Sequence, residues 1–131
     1  MENKKIIRTI KELFTHEFIC NILCTASYDS SWFAFGVHQD TDKQIYEDAK
    51  MCYECREDIW TYVLMHNGYI LIEDAEEEED YKLNLKDLIK GFKTLMLNYP
   101  QHYANIMTEN SDYYDCDAVI QCSIFGEIVY A

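Results

Sequence analysis

The chain has 131 residues, 49% of them hydrophobic, and carries 24 acidic against 11 basic residues, a formal net charge of -13. This length predicts one domain, residues 1–131, and the hydrophobic share is large enough for a packed core, which argues against disorder. The negative field repels nucleic-acid phosphates and anionic membrane surfaces and attracts basic partners, so we expect no direct binding to nucleic acid or to a membrane.

The N-terminal third of the sequence predicts two helices, or one helix with a bend. Asn3 is the expected N-cap. Apolar residues then recur at helical spacing in two sets, which are Ile6, Ile7, Ile10, Leu13 and Phe14, followed by Phe18, Ile19, Ile22, Leu23 and Ala26. Residues 28–31 are typical of a turn and residues 38–42 of a loop. The aromatic run 32–37 fits either a strand or a helix, because six residues are too few for periodicity to decide.

The middle of the chain predicts one long helix followed by a β-hairpin. An apolar stripe runs over residues 43–65, and His66-Asn67-Gly68 should end this helix, because Asn and Gly tolerate the left-handed conformation. The β-branched and aromatic residues 69–73 predict a strand, and residues 81–83 predict its shorter partner. The acidic run of the sequence lies between these strands, so we place it at the tip of the hairpin.

The last third predicts three further helices. Asn84 should cap the first of them, and Pro100 should end it, because the residue before a proline avoids the helical conformation. A short helix is expected over residues 102–107 and a last helix over residues 115–129. Gly126 would lie inside the last helix, at a close contact with a neighbouring helix.

These elements predict an α+β fold. The chain should be mostly helical, with a two-stranded antiparallel β-hairpin packed on the helices, and with residues 32–37 as a third strand if that run is extended.

The acidic run is the candidate site. Seven carboxylates fall within eight residues, and we take them as partner-binding residues: Glu73, Asp74, Glu76, Glu77, Glu78, Glu79 and Asp80. One interpretation is a solvated loop that only keeps the protein soluble. The other is that carboxylates on a rigid hairpin imitate a phosphate backbone and occupy the basic groove of a nucleic-acid-binding protein. Calcium binding fits poorly, because the run lacks the glycine and the ligand spacing of an EF-hand loop.

No motif indicates catalysis or a cofactor. The six cysteines are Cys20, Cys24, Cys52, Cys55, Cys116 and Cys122. The spacing of Cys20 with Cys24 and of Cys52 with Cys55 predicts that each pair lies on one face of a helix. Cys52 and Cys55 match C-x-x-C, but no second pair of that kind follows, so we expect reduced, metal-free thiols. The four histidines form no recognisable catalytic or metal-binding spacing, and we expect no enzyme activity.

Three segments carry a resemblance to a known group of proteins. They are DIWTYVLMHNGYI at residues 58–70, LNLKDLIKGF at 83–92 and DAVIQCSIFGEIVY at 117–130. This pattern resembles a family of small acidic proteins carried by phages and conjugative elements of Gram-positive bacteria. Small acidic proteins in that setting include anti-restriction and anti-CRISPR proteins, so the resemblance implies an anti-defence function.

The leading hypothesis is therefore a non-enzymatic protein of a mobile element that binds a basic protein partner, such as a nucleic-acid-binding protein. The alternative is a structural or oligomeric accessory protein whose acidity serves only solubility. The sequence shows no targeting segment and no apolar run of membrane-spanning length, which predicts a cytoplasmic location. It leaves the oligomeric state open, a homodimer included.

Overall fold

The computed structural model describes residues 10–28, 32–36, 43–76 and 78–130. The helices are α1 (His16–Tyr28), α2 (Lys43–Cys52), α3 (Arg56–Met65), α4 (Leu85–Asn98), α5 (Pro100–Met107) and α6 (Tyr113–Phe125), and the strands are β1 (Phe33–Gly36), β2 (Tyr69–Asp74) and β3 (Glu79–Asn84). Residues 10–13, ahead of α1, are also helical. The predicted cap at Asn3, the loop 38–42 and all of the turn 28–31 except Tyr28 lie outside the described residues.

The three strands form one antiparallel sheet in the order β1-β2-β3. Phe33 of β1 lies opposite Asp74 of β2, and Phe35 lies opposite Ile72. The aromatic run 32–37 therefore does contain a strand, and the predicted hairpin of β2 and β3 is two thirds of the sheet. Ile70 and Ile72 are fully buried, because alternate residues of β2 face the helices.

The helices enclose one hydrophobic core. Helix α6 packs against α1, α4 and α5, and α1 also packs against α3. The largest fully buried apolar side chains come from helices and strands alike, and they include Ile19, Leu23, Leu64, Ile70, Ile72, Leu83, Phe92, Leu95 and Ile120. The predicted α+β class is confirmed. Over the ranges described, no helix combines the length and the apolar character needed to cross a bilayer.

The long helix predicted over residues 43–65 is two helices, and that prediction was wrong. Helix α2 ends at Cys52 and α3 begins at Arg56, with Cys55 in an extended conformation as its N-cap. Tyr53, in the break, stacks on the ring of His16 from α1 at 4.9 Å between centroids. The sequence between Tyr53 and Ile59 is polar, so continuing the helix would have buried little apolar surface.

The predicted end of α3 and the predicted cap and end of α4 are confirmed, but the bounds predicted for the last two helices are not. Helix α3 ends before Asn67, which takes the left-handed conformation at φ 68°. The side chain of Asn84 accepts a hydrogen bond of 2.8 Å from the backbone N–H of Asp87 and so caps α4. Pro100 begins α5, two residues ahead of the predicted start. Helix α6 begins at Tyr113 and ends at Phe125, earlier than the predicted range 115–129.

The close helix contact predicted at Gly126 is found at Gly91 instead. Gly126 does not lie inside the last helix but caps it in the left-handed conformation, at φ 76°, and no described atom beyond its chain neighbours lies within 4 Å of where a Cβ would be. Gly91 is the close contact, because a Cβ there would lie 2.5 Å from the backbone N of Ser123. Helices α4 and α6 can approach one another at this point only because Gly91 has no side chain.

Candidate functional site: the acidic hairpin tip

We call residues 73–80, which carry the acidic run, the hairpin tip. Glu73 pairs with Asp80 and Asp74 with Glu79, so the acidic run extends into both strands. Ala75, Glu76 and Glu78 lie in the turn, and Glu78 takes the left-handed conformation there, at φ 52°. Glu77 lies outside the described residues. The register places carboxylates directly opposite one another across the strands, an arrangement that destabilises a sheet through repulsion.

Asp74 differs from the rest of the tip because it is buried. It follows Ile70 and Ile72 at two-residue spacing and is only 3% exposed. Its Oδ1 accepts a hydrogen bond of 2.8 Å from the backbone N–H of Glu76, and its Oδ2 accepts one of 3.0 Å from the hydroxyl of Tyr130. Asp74 therefore shapes the turn and ties it to the body of the protein, and we leave it out of the surface offered to a partner.

The other described carboxylates of the tip are exposed: Glu73, Glu76, Glu78, Glu79 and Asp80. No lysine or arginine in the described part of the chain forms an ion pair with any of them. Lys82, the one cationic residue of the three strands, lies over the ring of Tyr69 at 4.8 Å. Within the described residues no cation pairs with the negative charge of the tip, which favours cationic groups from outside the molecule.

The tip is anchored through the segment that follows α6. The side-chain oxygen of Gln121 accepts hydrogen bonds of 2.8 Å from the backbone N–H groups of both Val129 and Tyr130. The ring of Tyr130 also packs against Trp32 at 5.0 Å between centroids. With its backbone and ring held in this way, Tyr130 can present its hydroxyl to Asp74 in one position, so the turn is attached to a fixed point.

A second group of polar side chains lies between α1 and α3. Nε2 of His16 donates a hydrogen bond of 2.9 Å to Oδ1 of Asp58, and the thiol of Cys20 donates one of 3.4 Å to the same oxygen. The hydrogen bond from His16 is the main cause that lowers the pKa of Asp58. Burial, together with Asp58, raises the pKa of Cys20 to about 11. The thiol is therefore protonated at neutral pH, which is the opposite of an activated cysteine nucleophile.

A third group surrounds the start of α6. Nδ1 of His102 donates a hydrogen bond of 2.7 Å to Oδ1 of Asp115, and Asn105 donates to the same oxygen at 3.1 Å. The other oxygen of Asp115 accepts from the backbone N–H of Asp112 at 2.9 Å and completes a capping box. Because every one of these hydrogen bonds holds the end of a helix, this group is structural.

Asp117 lines a cavity of about 240 Å³ with His102 and Tyr130. Burial raises the pKa of Asp117, against the opposing effect of its hydrogen bonds from Trp32 at 2.6 Å and Gln121 at 2.9 Å. Both carboxylate oxygens are thus engaged by the protein's own donors.

The predicted placement of the cysteine pairs was half right. Cys20 and Cys24 both lie on α1, as their spacing indicated. Cys52 ends α2 and Cys55 precedes α3, so this pair does not share a helix face, and both residues are exposed. Burial raises the pKa of Cys116 to about 12 and of Cys122 to about 11, which is typical of inert core thiols.

Sequence reasoning missed the anchor of the tip and the group around Asp58. The alternation of β2 was the available signal for Asp74, since it continues the buried set of Ile70 and Ile72. The four-residue spacing of His16 and Cys20 was also visible, but Asp58 lies 38 residues beyond Cys20 and only the packing of α3 on α1 brings it close.

Comparison of the chain with protein-family models, with curated proteins and with solved structures found no match. The resemblance to small acidic proteins of mobile elements therefore stays a prediction from the sequence.

Proposed function

We propose that this protein is a non-enzymatic binding protein whose hairpin tip engages a basic surface on another protein. The observation that carries the proposal is that five exposed carboxylates share one anchored turn with no cation of the described chain paired to them. Because the tip is tied down through Asp74, its charges are held in a defined arrangement, and less conformational entropy is lost on binding.

The partner class follows from the chemistry of the tip. Closely spaced carboxylates attract the lysine and arginine side chains that nucleic-acid-binding proteins use for phosphates. A groove of that kind would accept the tip in place of nucleic acid. In the setting that the sequence resemblance implies, such a partner would be a host defence protein, and the present protein its cytoplasmic inhibitor.

The experiment compares two variants of equal charge. In the tip variant, Glu73, Glu76, Glu78 and Glu79 become Gln and Asp80 becomes Asn. In the control variant, five exposed glutamates elsewhere become Gln, namely Glu12, Glu17, Glu54, Glu109 and Glu127. Both changes alter the formal net charge from -13 to -8.

Each protein is used to capture basic proteins from a bacterial lysate at low and high salt, and association with an immobilised arginine-rich peptide is measured. We expect the tip variant to associate more slowly and with weaker salt dependence, because exposed interface charges act mainly on encounter. The control variant should keep more of the wild-type rate. Equal losses in both variants would show that only net charge matters and would favour the alternative, an accessory protein whose acidity serves solubility.

A further inference from the structure

We propose that His16, Cys20 and Asp58 form a binding site for a zinc-type divalent cation, with a water molecule as the fourth ligand. The proposal does not depend on the hairpin tip. It departs from the sequence-based expectation of metal-free thiols, which considered Cys52 and Cys55 as the candidate ligands and not this group.

The three ligand types and their spacing fit such an ion. An imidazole nitrogen, a thiolate and a carboxylate oxygen are the three donors that zinc uses in proteins. Their atoms lie within 4.8 Å of one another, with 2.9 Å between His16 Nε2 and Asp58 Oδ1 and 3.4 Å between Cys20 Sγ and that oxygen. Ligands of a tetrahedral zinc ion lie roughly 3.3–3.6 Å apart, so small side-chain rotations suffice.

The backbone supplies this arrangement without a loop rearrangement. His16 and Cys20 are four residues apart on α1, so both side chains project from one face of the helix toward α3, which carries Asp58. Tyr53 stacks on the His16 ring with an interplanar angle of 22° and restrains its orientation. Ligands on packed helices are held more accurately than ligands on loops.

The site is also open on one side. The side chains of His16 and Asp58 are 31% and 33% exposed, so an ion can enter and a water molecule can complete its coordination. Three protein ligands with an open fourth position are the arrangement of catalytic zinc sites, whereas structural sites use four protein ligands. On binding, Cys20 would lose its thiol proton to solvent and coordinate as the thiolate. The proton on Nε2 of His16 would pass to solvent or, by tautomer exchange, to Nδ1, so that Nε2 can bind the metal, and the hydrogen bonds to Asp58 would be replaced by bonds to the metal.

The test uses the full-length protein, reduced and freed of metal with a chelator, and Co²⁺ as a spectroscopic probe. We expect one equivalent of Co²⁺ to produce visible absorption together with a thiolate-to-cobalt charge-transfer band, and Zn²⁺ to displace it. Cys20→Ser should abolish the charge-transfer band. His16→Gln and Asp58→Asn should each weaken Co²⁺ binding at least about tenfold, since even residues that only orient metal ligands typically have effects of that size.

Two controls separate this site from the other thiols. Cys24→Ser removes the exposed thiol one turn further along α1, and the double variant Cys52→Ser/Cys55→Ser removes the C-x-x-C pair. Both should bind like the wild type. Circular dichroism of every variant shows whether it is folded, and Zn²⁺ should raise the melting temperature of the wild type but not of Cys20→Ser. Absence of the band in the folded wild type, or its survival in Cys20→Ser with loss in the double variant, would overturn the proposal.

Discussion

The hydroxyl of Tyr130 donates a hydrogen bond of 3.0 Å to Oδ2 of Asp74, across 56 residues of sequence. It joins the segment after α6 to the buried carboxylate at the base of the hairpin tip. This hydrogen bond, together with one of 2.8 Å from the backbone N–H of Ala75 to the backbone oxygen of Trp32, attaches the most acidic part of the surface to the core. A turn that opposes carboxylates across its strands needs such an attachment, because the charges themselves favour separation.

Tyr130→Phe tests this attachment. The variant keeps the ring and its packing but removes the donor to a buried carboxylate, so we expect the free energy of unfolding to fall by about 1.5–3 kcal/mol. Urea denaturation measures the loss. Tyr28→Phe serves as the control, because Tyr28 is 89% exposed. If both variants unfold at the same urea concentration as the wild type, the hydrogen bond contributes nothing to stability.

The carboxylates that lie opposite one another at the tip should favour binding of a basic partner but lower the stability of the sheet. Asp80→Asn removes the repulsion between Asp80 and Glu73, so it should raise the thermal midpoint of unfolding. Added salt should stabilise the wild type more than this variant, because salt screens a repulsion that the variant has lost. Glu127→Gln, an exposed change outside the sheet, is the control. A lower midpoint for Asp80→Asn would mean that Asp80 makes a favourable contact in the folded protein.

The two glycines should respond differently to substitution. Gly91→Ala places a Cβ against the backbone of Ser123, which cannot rotate away, so we expect a loss of about 3 kcal/mol or more, at the upper end for overpacked sites. Gly126→Ala meets no atom and should lose only about 1–2 kcal/mol, from the left-handed backbone.

Asparagine distinguishes the two causes. Asn tolerates the left-handed conformation, so Gly126→Asn should recover much of the stability lost in Gly126→Ala. Gly91→Asn should be worse than Gly91→Ala, because its larger side chain meets the same backbone. Chemical denaturation of the four variants gives the comparison, and recovery at position 91 would contradict the close helix contact.

The lowered pKa of Asp115 predicts that the protein loses stability in acid. Burial acts to raise the pKa of this carboxyl, but hydrogen bonds from the Asp112 backbone, His102 and Asn105 prevail and lower it. A carboxyl whose pKa is lower in the folded state contributes stability above its unfolded value of about 3.9, and this contribution disappears as the pH falls through the lower folded-state value.

Asp115→Asn should therefore destabilise the protein by about 1–3 kcal/mol at pH 7. The difference from the wild type should shrink as the pH falls below about 4, where the wild-type carboxyl also becomes protonated. Denaturation at a series of pH values measures the difference in the free energy of unfolding between the variant and the wild type. Glu109→Gln, at an exposed glutamate in the loop before α6, should show no such trend. A constant difference down to pH 2 would argue against an ionised Asp115.

Local sequence determined the parts of this protein that depend on neighbouring residues. The cap of α4 is one such part, because the Asn84 side chain reaches a backbone N–H three residues away. A second such part is the end of α3, because Asn67 favours the left-handed conformation by itself. A third is the strand pairing of the hairpin, because runs of β-branched residues favour strands over a few residues. The charge of the tip can also be read directly from the sequence.

The tertiary structure determined the features that depend on contacts between segments far apart in the sequence. Tyr53, which stacks on His16, lies in the break between α2 and α3. Residue 91 must be glycine because α4 and α6 approach one another closely there. Asp74 meets Tyr130 only because the segment after α6 packs against the hairpin, and the group around Asp58 depends on α1 packing against α3. The physical reason is common to all four: hydrogen-bond geometry and steric fit are set by how elements pack, and spacing along one segment does not contain that information.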